Sequence, residues 1–248
     1  MTSRDHYSYR VYAEPATARS FDDERFGGPI GQLVAREQAQ VIADFVGDVD
    51  GRTILDVGTG TGRAALQMAR GGARVTAIDA SEEMLAVARR RANDEHLTVT
   101  FTAGDAHQLD FPDRSFDVVI SLRVLMHAPA WRRCIGELCR VATSLIVVDY
   151  PSATSFASLQ AMGRRVIHAC GGRTEPYRVL SDRAVAAELA RAGFRVRSVH
   201  RHFFLPIAVH KGIGSARFTT ASRAVFDRLG LLRLFGSPVT LVAERCAS

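Results

Sequence analysis

Ile54-Leu55-Asp56-Val57-Gly58-Thr59-Gly60-Thr61-Gly62-Arg63 is the stretch on which the reading of this chain turns. A short apolar run ends in an acid, and a glycine-rich loop follows at once. Ala64-Ala65-Leu66-Gln67-Met68-Ala69-Arg70 then reads as a helix. Strand, tight turn and helix in that order form the ligand-side corner of a doubly wound sheet. Glycine lets the backbone turn sharply and lets a ligand approach main-chain atoms that a Cβ would shield. The start of the helix adds unpaired N–H groups and a partial positive charge suited to a carboxylate or phosphate. A dinucleotide fingerprint requires glycine at the first, third and sixth positions. Counted from Gly58, the sixth position is Arg63. The spacing present is D-x-G-x-G-x-G.

The segments that follow extend the pattern. Arg74-Val75-Thr76-Ala77-Ile78-Asp79 is a second short strand ending in an acid. Asp79 lies about 20 residues beyond the first glycine, where a doubly wound fold places the acid that grips ribose hydroxyls. One carboxylate accepts two hydrogen bonds and so can hold a vicinal diol. Ser81 is placed as an N-cap, with Glu82 and Glu83 in the first turn and Arg89-Arg90-Arg91 near the end, an order that complements the helix dipole. Leu97 to Thr102 alternates as a third strand. Gly104-Asp105-Ala106-His107-Gln108-Leu109 and Phe111-Pro112-Asp113-Arg114-Ser115-Phe116-Asp117-Val118-Val119-Ile120 come next.

Taken together, these motifs resemble those of the class I S-adenosylmethionine (SAM) dependent methyltransferases, in the group that includes quinone-biosynthesis enzymes. The resemblance runs from about Ile54 to Tyr150. It implies an α/β fold: a Rossmann-like doubly wound seven-stranded sheet, mostly parallel with one antiparallel strand, carrying helical cap insertions. It implies SAM as cofactor and S-adenosylhomocysteine (SAH) as product. Cofactor contacts are expected at Asp56, Gly58, Thr59, Gly60, Gly62, Asp79, Ala80, Met84, Asp105, Ala106 and Leu122. In that family the counterpart of Asp105 bonds the adenine amino group, and the backbone at Ala106 meets a ring nitrogen.

Composition is compatible with one large α/β domain spanning residues 1–248. Of these 248 residues, 47% are hydrophobic and 23% charged, an ordinary soluble balance. No apolar run approaches the roughly 20 residues that span a bilayer. The first residues carry no apolar core like that of a signal peptide, so a cytoplasmic protein is the default expectation. Cys134, Cys139, Cys170 and Cys246 form no C-x-x-C pair and read as reduced structural thiols. His200 and His202 alternate on one strand face. With no acid or Cys near them in sequence they make a poor metal site, and no metal is expected. The net charge of +6 comes almost wholly from arginine, because Lys211 is the only lysine. Those arginines are scattered and form no stripe, so nucleic acid is not an expected partner.

Residues 1–28 are expected to form an N-terminal lid, with Tyr9 and Tyr12 as candidate substrate contacts. A helix is expected from Gly28-Pro29, with Ile30, Val34, Val41 and Phe45 as its apolar stripe and Gly47 as its end. Residues 152–180 and 206–237 exceed the minimal fold and are read as substrate-cap insertions above the strand ends. Phe218, Ala221, Val225, Leu229 and Leu232 recur there at helical spacing among arginines. Such a face either packs internally, covers a greasy substrate, or makes peripheral contact with a membrane. His127, after the fourth strand, is the candidate general base, and Arg123 a candidate substrate anchor. His202 and His210 are secondary candidates. Asn/Asp-Pro-Pro-Tyr, used on amide or adenine nitrogens, is replaced there by Ser121-Leu122-Arg123-Val124. The expected activity is methyl transfer to oxygen or carbon of a small molecule: a quinone, lipid or secondary metabolite. The alternatives are a nicotinamide-dependent oxidoreductase or a catalytically silent SAM-binding partner subunit. Monomer and homodimer are both open.

Overall fold

The computed structural model describes residues 14–169 and 177–246. Tyr9, Tyr12 and Cys170 lie outside these residues. Among the described residues two helices, α1 (Pro15–Phe26) and α2 (Gly28–Val46), precede the sheet. The α/β core runs β1 (Thr53–Val57), α3 (Arg63–Arg70), β2 (Arg74–Asp79), α4 (Glu82–Asp94), β3 (Val99–Ala103), β4 (Phe116–Ser121), α5 (Trp131–Val141) and β5 (Ala142–Tyr150). It continues through α6 (Ala157–Ala169), α7 (Asp182–Arg191), β6 (Phe194–Phe203), α8 (Ile207–Ile213), α9 (Ala216–Arg228), α10 (Leu231–Phe235) and β7 (Ser237–Arg245). Among the described residues no helix is long and apolar enough to cross a membrane.

The strands form one seven-stranded sheet in the order β3-β2-β1-β4-β5-β7-β6. Every pairing from β3 across to β5 is parallel, while β7 runs antiparallel to both β5 and β6. The order reverses between β1 and β4, which opens a crevice beyond their carboxyl ends.

Strand alternation sorts side chains into two cores. Leu55, Val57, Val119, Ile146 and Val148 pack with Ile135 and Leu138 of α5 and with Val185 and Leu189 of α7. Ile54, Val118, Ile120 and Val147 pack on the other face with Val41, Ile42 and Phe45 of α2 and Ala65 and Met68 of α3. Burial on both faces explains why these strands read as nearly continuous apolar runs.

The expected bounds hold for α2, with several local departures elsewhere. Residues 15–26, which show no clean period, are a helix begun by Pro15 at its first turn. Ser81 caps α4, its Oγ accepting from Met84 N at 3.2 Å. Ser181 precedes α7 without a side-chain cap bond. In the last insertion the outward face is Ala221, Val225 and Leu229. Inward contact comes instead from Phe226, stacked 4.3 Å from Phe204, and from buried Thr219 and Leu232. The sequence stripe therefore mixed residues of two faces.

A candidate SAM-binding active site

The glycine loop between β1 and α3 is built by three constraints. Gly58 and Gly62 have φ of +72° and +85°, a region costly for side-chain-bearing residues. A Cβ on Gly58 would meet Val124 Cγ2 at 2.2 Å, so the loop also needs glycine to pass the segment after β4. At Gly60 the Cβ direction is open, with nothing within 4 Å, which leaves backbone exposed to the crevice. Asp56 is 2% exposed and braces the loop from beneath. Its Oδ2 accepts from Thr59 Oγ1 at 2.6 Å and from Ala65 N at 3.1 Å, tying the loop to the first turn of α3. Burial outweighs these bonds and pushes the Asp56 carboxyl up to about 6.

Asp79 ends β2 beside this loop. Its Oδ2 accepts from Gly60 N at 2.8 Å and its Oδ1 from Ser81 N at 2.9 Å. Each oxygen has two lone-pair sites, so each retains acceptor capacity. Burial is the largest effect on this carboxyl and raises its pKa above the ordinary aspartate value.

Around these groups lies a cavity at the carboxyl ends of the strands. Asp56, Gly58, Thr59, Gly60, Asp79, Ala80, Met84, Ala106 and Leu122 line it, as do Arg123 and His127. Two expected cofactor contacts are absent from the lining. Gly62 turns toward α4, where its Cβ position falls 2.9 Å from Ala88 Cβ. Asp105 holds His107 instead, with Oδ1 2.7 Å from Nδ1 and 2.9 Å from the backbone N. The other ring nitrogen of His107 lies 3.4 Å from Ala130 N, at the entry to α5, and so fixes that turn. Neither His202 nor His210 lines the cavity: His202 contacts Thr240 at 2.9 Å and His210 contacts Thr219 at 3.1 Å, both buried.

The roof lies within residues 1–28, where a lid is expected, at side chains other than the expected Tyr9 and Tyr12. Phe21, Arg25 and Phe26 of α1 line the cavity together with Gln38 of α2 and Arg63. The Arg63 guanidinium stacks 3.5 Å from the Phe26 ring centroid, a cation–π contact. Asp22 latches α1 down, accepting from Thr61 Oγ1 at 3.0 Å and pairing with Arg91. At the far end, Lys211 Nζ donates to the Glu24 and Arg25 carbonyls at 2.9 and 3.0 Å. Among the described residues, nothing from 152–180 or 206–237 lines the cavity. Bonds from these segments reach its walls from behind. Arg178 Nη1 donates to the Ala128 carbonyl at 2.6 Å, behind the turn that carries His127. Asp149, buried at the end of β5, accepts from Arg123 N and pins the same turn.

The structure also corrects the premise behind the metal expectation. Glu37 of α2 projects between His200 and His202 of β6, with Oε1 3.2 Å from a nitrogen of each ring. That acid is 163 residues from His200, and no local pattern announces it.

Comparison with known proteins bears on this site directly. Residues 54–144 match the family model described as a methyltransferase domain. Demethylmenaquinone methyltransferase of Thermus thermophilus is 34% identical over 166 residues, covering 59% of this chain and 76% of that protein. The chain belongs to the SAM-dependent methyltransferases. Ubiquinone biosynthesis O-methyltransferase of Paramagnetospirillum magneticum is 42% identical over 88 residues, 36% of this methyltransferase and 35% of that protein. Magnesium protoporphyrin IX methyltransferase from Synechocystis PCC 6803, solved with bound SAH, shares the fold with a TM-score of 0.66. It is 17% identical, over 96% of this chain and 98% of that one. These curated relatives are methyltransferases, and the nicotinamide-dependent reading gains no support from them. The glycine loop fits the cofactor: the open approach at Gly60 beside the Asp79 carboxylate is a cradle that a Cβ would fill.

Proposed function

We propose that this methyltransferase transfers the methyl group of SAM to an oxygen or carbon of a small, largely apolar ring compound of the quinol class. One observation carries the reading: the glycine loop and Asp79 share one cavity with the aromatic side chains Phe21 and Phe26 and with Arg123 and His127. The relatives named for menaquinone and ubiquinone biosynthesis support the acceptor class.

When bound, SAM supplies a methyl on a cationic sulfur, so the leaving group needs no further activation. Asp79 holds the ribose diol through its remaining lone pairs. The backbone from Asp105 to Ala106 flanks the adenine edge, with Met84 and Leu122 against its faces. The chain's main contribution is alignment in a dry pocket, where orientation is worth ~7–11 kcal/mol in favourable systems. Phe21 and Phe26 exclude water and pack the acceptor ring. Arg123 stabilises an anionic acceptor, and His127 takes the acceptor proton as general base. Exposed Val225, Leu229 and Leu234 beside Arg228 and Arg233 suit a membrane surface from which a greasy acceptor would be drawn.

The test has two stages. Calorimetric titration with SAH should give saturable binding, and NADH should give none. Methyl release from labelled SAM is then followed with quinols and catechols against DNA and protein acceptors. Turnover confined to the ring compounds supports the reading. Turnover on a macromolecule, or SAH binding with no turnover on any ring acceptor, overturns it.

A further inference from the structure

A side-chain cluster at the junction of α2, β6, β7 and α9 lies outside the SAM cavity. Glu37 Oε1 lies 3.2 Å from His200 Nε2 and 3.2 Å from His202 Nδ1, and all three ligand atoms fall within 4.8 Å of one another. Donor atoms bound at about 2.0–2.1 Å around one tetrahedral ion stand little more than 3 Å apart. His202 is 2% exposed, and its Nδ1 meets no partner in hydrogen-bonding geometry. Its other nitrogen, Nε2, lies 2.9 Å from Thr240 Oγ1, which fixes the ring and aims Nδ1 at Glu37. An outer contact that orients a ligating imidazole in this way is a recurrent feature of metal sites.

We propose that Glu37, His200 and His202 form a binding site for a divalent first-row transition metal, with Zn2+ as the ion that this donor set favours. Two imidazoles and one carboxylate suit Zn2+ and disfavour Mg2+ or Ca2+, which take oxygen ligands. Three protein ligands leave a fourth position for water. A surface cleft lined by His200, Arg201, Arg223 and Asp227 gives the ion a way in. Arg223 is the competitor. Its guanidinium lies 2.6 Å from Glu37 Oε1 and 3.2 Å from His200 Nε2, acting as a cation toward the same pair. Asp227, one helical turn along α9, offers it an alternative partner. A bound ion ties α2 to the edge of the sheet. Because α2 also carries Gln38 into the SAM cavity, the tether steadies one wall of that cavity. The inference rests on this cluster and stands apart from the acceptor proposed above.

The test is Zn2+ titration of chelator-stripped full-length protein, by competition with a chromophoric chelator. Cys246→Ser serves as the background, to remove an exposed thiol. One saturable equivalent is expected. Glu37→Gln and His200→Ala, both at partly exposed positions, should each weaken binding about 100-fold or more, and Arg223→Ala should tighten it. Co2+ should give the intense visible absorption of a tetrahedral site, and Glu37→Gln should abolish it. Circular dichroism confirms that each variant is folded. Absence of saturable binding overturns the proposal. So does binding that survives Glu37→Gln and His200→Ala together, or binding seen only once Arg223 is removed, which would make the cluster an ion-pair strut.

Discussion

Replacing Asp79 by Asn changes one atom, and its consequence can be worked from the geometry. Asp79 Oδ2 is held by Gly60 N–H at 2.8 Å and Oδ1 by Ser81 N–H at 2.9 Å. Each oxygen then has one acceptor site left for a ribose hydroxyl. In Asp79→Asn an NH2 replaces one oxygen. That group cannot accept from the ribose, and it faces a backbone N–H donor. One charged hydrogen bond is lost, on the order of 1.5–3 kcal/mol. The expected result is a Kd for SAH raised about 10- to 150-fold. Calorimetry at neutral pH measures it, and thermal unfolding separates any loss of stability from loss of affinity. The wild type carries a second signature. Burial raises the Asp79 pKa, so SAH affinity should fall on acidification at a higher pH than an ordinary aspartate would give. Asp79→Asn should lack that acid limb. A folded Asp79→Asn protein that binds SAH within about threefold of wild type refutes the ribose role.

Asp56 bears on stability. Its folded-state pKa of about 6 lies above the ordinary aspartate value, so its ionised form is the disfavoured one. Stability linked to this group is therefore fully present below about pH 4 and lost as pH rises through 6, by about 3 kcal/mol. Denaturant unfolding of wild type and Asp56→Asn between pH 4 and 7 should show that slope in the wild type and a flatter one in the variant; parallel slopes would count against it. Asp22→Ala cuts the contacts of α1 with Thr61 and Arg91 and should raise the SAH Kd about 3- to 10-fold, with faster proteolysis within α1. Unchanged proteolysis would show that α1 is held otherwise. His127→Ala should leave SAH affinity nearly unchanged yet lower turnover about 10²–10⁴-fold. Retained turnover would leave it as a wall residue. Leu229→Glu with Leu234→Glu should abolish co-sedimentation with anionic vesicles, and vesicle binding unchanged in that variant would exclude this surface.

The parts legible in the sequence are those whose cause is local. Asp56, Gly58 and Gly60 announce a strand, a left-handed turn and a helix start within a dozen residues, because the backbone conformation itself demands those residue types. Asp79 is legible because a parallel crossover of regular length sets where the second strand ends. Ser81 shows itself through capping chemistry with Met84, one turn away. Asp105 is placed by its motif, but its bonds to the ring and backbone N–H of His107 depend on how the turn closes.

Tertiary structure alone decided which distant side chains meet. It laid α1 over the glycine loop through Asp22 and Thr61, 39 residues apart. It brought Arg178 to a carbonyl 50 residues away. It also carried Glu37 to His200 and His202. The physical reason is common to all three. Backbone conformation is governed by steric and hydrogen-bonding terms between near neighbours, so sequence spacing records it. Contacts across the molecule are chosen by the packing of whole helices on a sheet, and no spacing along the chain encodes where two such elements touch.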